Sequence, residues 1–320
     1  MRELGARLRA AGLTPKLLRA WAGTDRAASI HARYAGEPRA GYGARLERVA
    51  PAEAALALFV AGADLPGGAA RALPIAALAA AGLVDVAGER VRATVALLPV
   101  GEALVACDRL DAPVARELAC WPDDSSHHLA SALPPGRRPR WLDLGCGSAF
   151  APLARPEVAE DIVGLDANPR ACERARLGAA LSGRALTVLD GDLAAGVPDE
   201  RYDLVTCNAP MPHPDATLWR SADAGFFPAL FAAVPRLVAP GGLAVLHLAR
   251  AALPDELPGE VVAVAYAGEP PGEQVPPGRA GGFAVVWWQP GAPARYVSAR
   301  RDLTVERPHL QWRDREDALC

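Results

Sequence analysis

Lysine is nearly absent from this chain: Lys16 stands against 33 arginines. In so alanine-rich a sequence the imbalance reads as compositional bias, and it carries no weight as a binding device. The six cysteines, at 107, 120, 146, 172, 207 and 320, form no CxxC pair and no ligand-like spacing, which argues against a disulfide framework or a zinc site and fits a reducing cytosol. "MRELGARLRAAGL" lacks the apolar core of a signal peptide. No apolar run reaches the length of a membrane span, since the alanine-rich stretch 68–82 is broken by Arg71 and Pro74. A soluble, cytoplasmic protein with no membrane partner is the expectation. HExxH is missing too, so the adjacent His127 and His128 establish no metal. Residues 1–140 carry 18 basic and 14 acidic groups, and residues 141–320 carry 16 and 23. That mildly basic first part falls short of a nucleic-acid signature.

What is present is a chain of 320 residues, half of them hydrophobic, punctuated by 30 prolines and 30 glycines. That length predicts one main domain and a smaller one. Residues 1–60 read as helices, including "LGARLRAAGLTPKLLRAW" and a segment opening at Pro51. A helix, "LVDV", an "AGER" turn and the alternating "VRATVALLPV" then resemble the helix and two-stranded wing of a winged-helix fold. We expect residues 1–120 to form this accessory domain, 121–140 to be a linker that covers part of the site, and 141–320 to form an α/β domain. In that last part strands and helices alternate: "RWLDLGCG", "DIVGLDANP", "ALTVLDGDL", "RYDLVTCNAP", a helix around 223–238, "GGLAVLHLA", "GEVVAVAYA" and "GGFAVVWWQ". The pattern predicts a doubly wound, mostly parallel, seven-stranded sheet, with ligands beyond the carboxyl ends of its strands. Trp287 and Trp288 must face opposite sides of their strand, one in the core and the other at a surface or interface.

Three acidic residues mark three successive strand ends. Asp143 precedes the glycine turn at Gly145, Cys146 and Gly147, where missing side chains let a ligand approach the backbone. Asp166, followed by Ala167, can accept from both hydroxyls of a ribose. Asp192 can accept from an adenine amino group, with Leu193 against the ring. The set "LDLGCGSAF", "VGLDANP" and "DGDL" resembles the signature of class I S-adenosylmethionine-dependent methyltransferases over about residues 138–290. That resemblance implies S-adenosylmethionine as cofactor and S-adenosylhomocysteine as product. It places the methionine part at Asp143, Gly145 and Gly147, and the ribose at Asp166.

A further corner, "CNAPMPHP", puts Asn208 directly after a buried strand. It resembles the N-P-P-aromatic motif of the subgroup that methylates amino groups of bases or amides of glutamine, with Ala209 in place of the first proline, Pro210 retained and Met211 in place of the ring. Loss of the ring removes a stacking platform for a flipped base, while Met211 still lines an apolar slot. An amide nitrogen is a poor nucleophile because its lone pair is delocalised, and a side-chain carbonyl with a proline-held backbone carbonyl would orient it. His213 is placed to take the departing proton or to orient the substrate. "WPDDSSHHL" supplies Asp124, Ser125, His127 and His128 as residues lining the site. Nitrogen methylation of RNA, protein or a small molecule is thus expected. The alternatives are oxygen methylation of a small metabolite and a noncatalytic module that keeps the fold.

Overall fold

Leu4 and Leu8 fall on one face of the helix Arg2–Ala10 and are buried, and Gly12, at φ 100°, ends that segment. Thr14 Oγ1 then accepts from the Leu17 N–H at 3.3 Å, capping the helix Pro15–Ala22, so the leucine-rich start is two helices. The computed structural model describes residues 1–22, 49–109, 112, 117–119, 121–193, 196–197, 199–212, 221–222, 225–266, 282–304 and 307–320.

One unit comprises Met1–Asp123, Gly147–Ala154 and Arg170–Leu186. Besides the two helices it contains the fully buried helix Ala54–Phe59, entered through a 3-10 turn at Pro51, and the helix Ile75–Ala80. Strands β1 (Leu65–Pro66), β2 (Val84–Ala87) and β3 (Arg90–Ala93) form an antiparallel sheet ordered β1-β3-β2. The run "VRATVALLPV", expected as one strand, is two. Thr94 folds back on Gly82 and Leu83 through Oγ1 (2.7 Å) and N–H (3.0 Å), and the chain restarts as β4 (Ala96–Val100), paired with β5 (Ala103–Cys107). Asp108, at the end of β5, is 1% exposed and pairs with Arg174 at 2.9 Å and Arg170 at 2.7 Å, while its Oδ2 accepts the Ala119 N–H at 2.9 Å.

The second unit comprises Asp124–Cys146, Arg155–Pro169 and Thr187–Cys320. Strands buried on both faces need near-continuous apolar runs, and "YDLVTCN" and "FAVVWWQ" supply them. The sheet contains β6 (Arg138–Leu144), β7 (Ala159–Asp166), β8 (Thr187–Asp190), β9 (Tyr202–Asn208), β12 (Val238–Ala249), β13 (Glu260–Tyr266), β14 (Phe283–Gln289) and β15 (Arg295–Arg301). The short β10 (Met211–Pro212) and β11 (Ser221–Ala222) pair separately. The order is β15-β13-β14-β12-β9-β6-β7-β8, and β14 alone runs against its neighbours.

Among the described residues, the expected sheet of seven strands is therefore one of eight. Tail residues extend it, because "ARYVSAR" alternates and can add to the edge at β13. The stretch 121–140, expected as a linker, holds the helix Asp124–Ala132 and the start of β6. The two tryptophans also differ from expectation, both being buried. Trp288 packs by Phe231 of the helix Phe226–Leu237, whereas Trp287 donates from Nε1 to the Ala132 carbonyl at 2.9 Å, so helices cover both faces. The last helix, Trp312–Leu319, packs on β13 and β15.

Removing the Asp108 carboxylate leaves the Arg174 guanidinium without its buried counter-ion. Asp108→Ala should cost about 3 kcal/mol in urea denaturation.

Candidate active site

Where β6 meets β9 the strand order reverses direction, and the chain leaves the two strands side by side. Their parallel register sets Asp143 opposite Thr206 and Leu144 opposite Cys207, so Gly145 and Asn208 emerge at the same end. Gly145 and Gly147 have φ of 62° and 55°, a conformation that favours glycine, and a Cβ at either would meet nothing within 4 Å. The backbone conformation, not crowding, requires glycine here. Cys146 is buried, and its N–H donates to the Leu165 carbonyl at 3.0 Å. Gly164 makes room for it, since a Cβ there would lie 2.8 Å from Cys146 Sγ.

The strand-end carboxylates differ in setting. Asp143 is 4% exposed and accepts from Thr206 Oγ1 at 2.5 Å, and Thr206 itself accepts from Trp141 Nε1 at 2.7 Å. Burial raises the Asp143 carboxyl to about 7; the Thr206 bond opposes this, and neighbouring Asp166 adds to it. Asp166 is half-buried at the end of β7, with Oδ1 accepting the Asn168 N–H at 2.8 Å, and Ala167 beside it is half-buried as well. Asp192 is exposed and bridges through its backbone to Gly196, while Leu193 packs against the core.

Asn208 closes β9. Its Nδ2 donates to Ser125 Oγ at 2.7 Å and lies 3.4 Å from Ser126 Oγ, so the "DDSSHH" helix is joined to the strand end. With Nδ2 so engaged, Oδ1 is the atom that can accept from a ligand. The Ala209 N–H donates to the His247 carbonyl at 2.8 Å, and Pro210 and Met211 are half-buried. His213 lies outside the described residues. Asp124 is bracketed by His128 Nε2 at 3.2 Å and His309 Nε2 at 2.9 Å. Burial would raise its carboxyl, but the bonds to these imidazoles outweigh burial and hold it well below the usual carboxylate range. His127 stacks on His309 with ring centres 5.2 Å apart. His128 stacks on Tyr266 at 4.1 Å, and Tyr266 in turn bonds His247 Nε2 at 2.7 Å. Burial lowers His247 to about 3 and keeps it neutral. Cys207 is buried, which raises its thiol and removes it as a nucleophile.

Sequence reasoning missed Thr206, Ser126, His247, Tyr266 and His309. A polar residue inside an apolar strand, as in "DLVTCN" and "AVLHLA", was the available signal for Thr206 and His247; nothing local pointed to His309. Among the described residues, no group of three or more His, Cys, Asp or Glu side chains could hold a metal ion. Nor is any helix among them long and apolar enough to cross a membrane.

Residues 120–251, less than half of the chain, match the family model of the methyltransferase small domain. The match places a methyltransferase-like domain over those residues, which include β6, β7, β8 and β9 and the Asn208 corner. Among solved structures, a S-adenosylmethionine-dependent methyltransferase from Clostridium acetobutylicum is 17% identical over 34% of this chain and 42% of its own, with a TM-score of 0.28. The N-methyltransferase NodS from Bradyrhizobium japonicum, solved with S-adenosylhomocysteine, is 22% identical over 39% of this chain and 60% of its own, with a TM-score of 0.32. A methyltransferase from Pyrococcus furiosus is 13% identical over 51% of this chain and 80% of its own, with a TM-score of 0.37. The matched part spans less than two thirds of the first two, and likenesses at these scores carry no weight for the site.

The raised Asp143 carboxyl has a definite consequence for stability. Between the ordinary value of 3.8 and about 7 the folded chain holds a proton that the unfolded chain releases, so this contribution is present at low pH and lost as pH rises through that window. Asp143→Asn keeps the acceptor for Thr206 and removes the titration. Its urea midpoint should gain on that of the unsubstituted chain from pH 4 to pH 7 and level off above, as denaturation at several pH values would read.

Proposed function

We propose that this chain is a S-adenosylmethionine-dependent methyltransferase acting on an amino or amide nitrogen. The observation that carries the reading is the Asn208 amide at the strand reversal, held from behind by Ser125 at 2.7 Å so that its carbonyl is the available acceptor.

The residues present fit the cofactor. Gly145 leaves its backbone open to a ligand, with nothing within 4 Å of where a Cβ would stand, and Asp166 at the adjacent strand end is suited to ribose hydroxyls. Gly145, Cys146 and Gly147 would border the methionine part, Asp143 would shape that turn from within, and Asp192 and Leu193 would meet the adenine. When bound, the cofactor supplies an electrophilic methyl group on a sulfonium. The chain's own residues orient the other reactant. Asn208 Oδ1 accepts an N–H of the incoming nitrogen, which holds its lone pair in line with the methyl carbon. That bond also favours the more tetrahedral nitrogen of the transition state. The Ala209 N–H, fixed to β12, and Pro210 stiffen the backbone that follows. His213 is proposed to take the proton released as the nitrogen gains its methyl group. Ser125, His127, His128 and Met211 would line the approach. The N-terminal unit, with its helix Ile75–Ala80 and the β2–β3 hairpin, is proposed as the winged-helix-like part that recognises the acceptor, and the cytoplasm as the compartment.

Calorimetric titration with S-adenosylmethionine and S-adenosylhomocysteine, with NAD as the negative comparison, tests the cofactor. Asp166→Ala should lower S-adenosylhomocysteine affinity by about tenfold or more, the size of one charge-assisted hydrogen bond. Asn208→Ala should keep that affinity and lose roughly a hundredfold in labelled methyl transfer to RNA, protein or small-molecule fractions. Equal loss of affinity in both variants would overturn this division of roles. Transfer only to hydroxyl acceptors would favour oxygen methylation, and absence of binding would favour a noncatalytic module.

A further inference from the structure

The tail of the chain is built into the site from a distance in sequence. Its anchor is Asp314, 2% exposed, which accepts from Arg301 Nε and Arg307 Nη1, each at 3.1 Å, and from the Gln311 N–H at 2.7 Å. Arg315 pairs with Glu260 on β13 at 2.5 Å. From this anchor on the sheet edge, residues 307–311 reach the helix Asp124–Ala132, where Leu310 is buried.

The hydrogen bonds there fix protonation as well as position. The Leu310 backbone N–H donates to His128 Nδ1 at 2.9 Å, so that nitrogen carries a lone pair. His128 is therefore the neutral tautomer with its proton on Nε2, which points to Asp124 Oδ2. His309 Nε2 takes the other oxygen, Oδ1, at 2.9 Å. Both oxygens of one carboxylate are thus occupied by imidazole donors, one held and one supplied by the tail. The next residue is Ser125, whose hydroxyl accepts from the Asn208 amide. We propose that His309 and Leu310 form a positioning element for Asn208: they fix the first turn of the Asp124–Ala132 helix, and Ser125 passes that constraint to the direction in which the Asn208 carbonyl faces. The importance of that direction for an acceptor nitrogen rests on the methyltransferase reading; the coupling itself does not.

The coupling can be read without an acceptor. The chain has only two asparagines, Asn168 and Asn208, and three glutamines, so its side-chain amide NMR signals are few and Asn208→Ala identifies the pair of interest. In His309→Ala the Asn208 amide signals should leave their original positions. In His309→Gln, whose amide N–H can still donate to Asp124, they should return to them. S-adenosylhomocysteine affinity should change by less than about threefold in both. Unmoved signals in a folded His309→Ala protein, or displacement in His309→Gln as large as in His309→Ala, would overturn the proposal. If His309→Ala does not fold, Asp124→Asn supplies the same reading, because it leaves one acceptor oxygen for two imidazole donors; unmoved Asn208 signals there would overturn it equally. Failure of the unsubstituted chain to bind S-adenosylhomocysteine would count against the methyltransferase reading and leave the amide comparison intact.

Discussion

Everything at the site depends on the pairing of β6 with β9. Two parallel strands from opposite halves of a doubly wound sheet lie in contact only at the reversal, and their register decides which residues reach the open end together. Because Leu144 stands opposite Cys207, a glycine turn and an asparagine amide leave the sheet as neighbours although more than sixty positions separate them. A slip of one residue would exchange the faces of every side chain on β9, turning Thr206 away from Asp143 and Asn208 away from Ser125.

The same register lines one face of a buried sheet with polar groups, and each meets a partner inside the unit. Trp141, Thr206 and Asp143 form one chain of bonds, and His247 and Tyr266 form another. Low polarity makes such groups costly when unpaired and directional when paired. It also selects their charge states: His247 is neutral, and Asp143 keeps a proton at pH values where an exposed carboxyl would have lost it. The result is a rigid polar floor under the strand ends, with ionised Asp124 held between imidazoles above it.

Much of this was legible in the chain, for local reasons. Strand, glycine turn and acidic end recur at short spacing in "LDLGCG" and "VGLDANP", and Asn208 stands out after an apolar run. What escaped was non-local. Contact between Ser125 and Asn208 spans 83 positions, and that between Asp124 and His309 spans 185, distances over which no periodicity carries information. The eighth strand was overlooked because "ARYVSAR" has too little apolar content to read as a core strand; it is an edge strand whose residues are mostly exposed. For a related reason, the assignment of one tryptophan to a surface or interface departed from the buried pair that is found. Alternation says that neighbours face opposite ways, but it does not say that both faces are covered.

That arginine-bearing edge strand bears on how the molecule behaves in a crowd. The outer rim of a sheet offers unpaired backbone groups, a template on which another chain can add. One rim here is β15, whose Arg295 reaches the Leu319 carbonyl and whose Arg301 is engaged by Asp314 and Asp317 of the helix Trp312–Leu319. A second copy laying its own β15 alongside would bring arginine against arginine and would have to displace those helix contacts. Charge on an edge strand is a common device against edge-to-edge pairing, and here it is held in place by the same tail that reaches inward to His128.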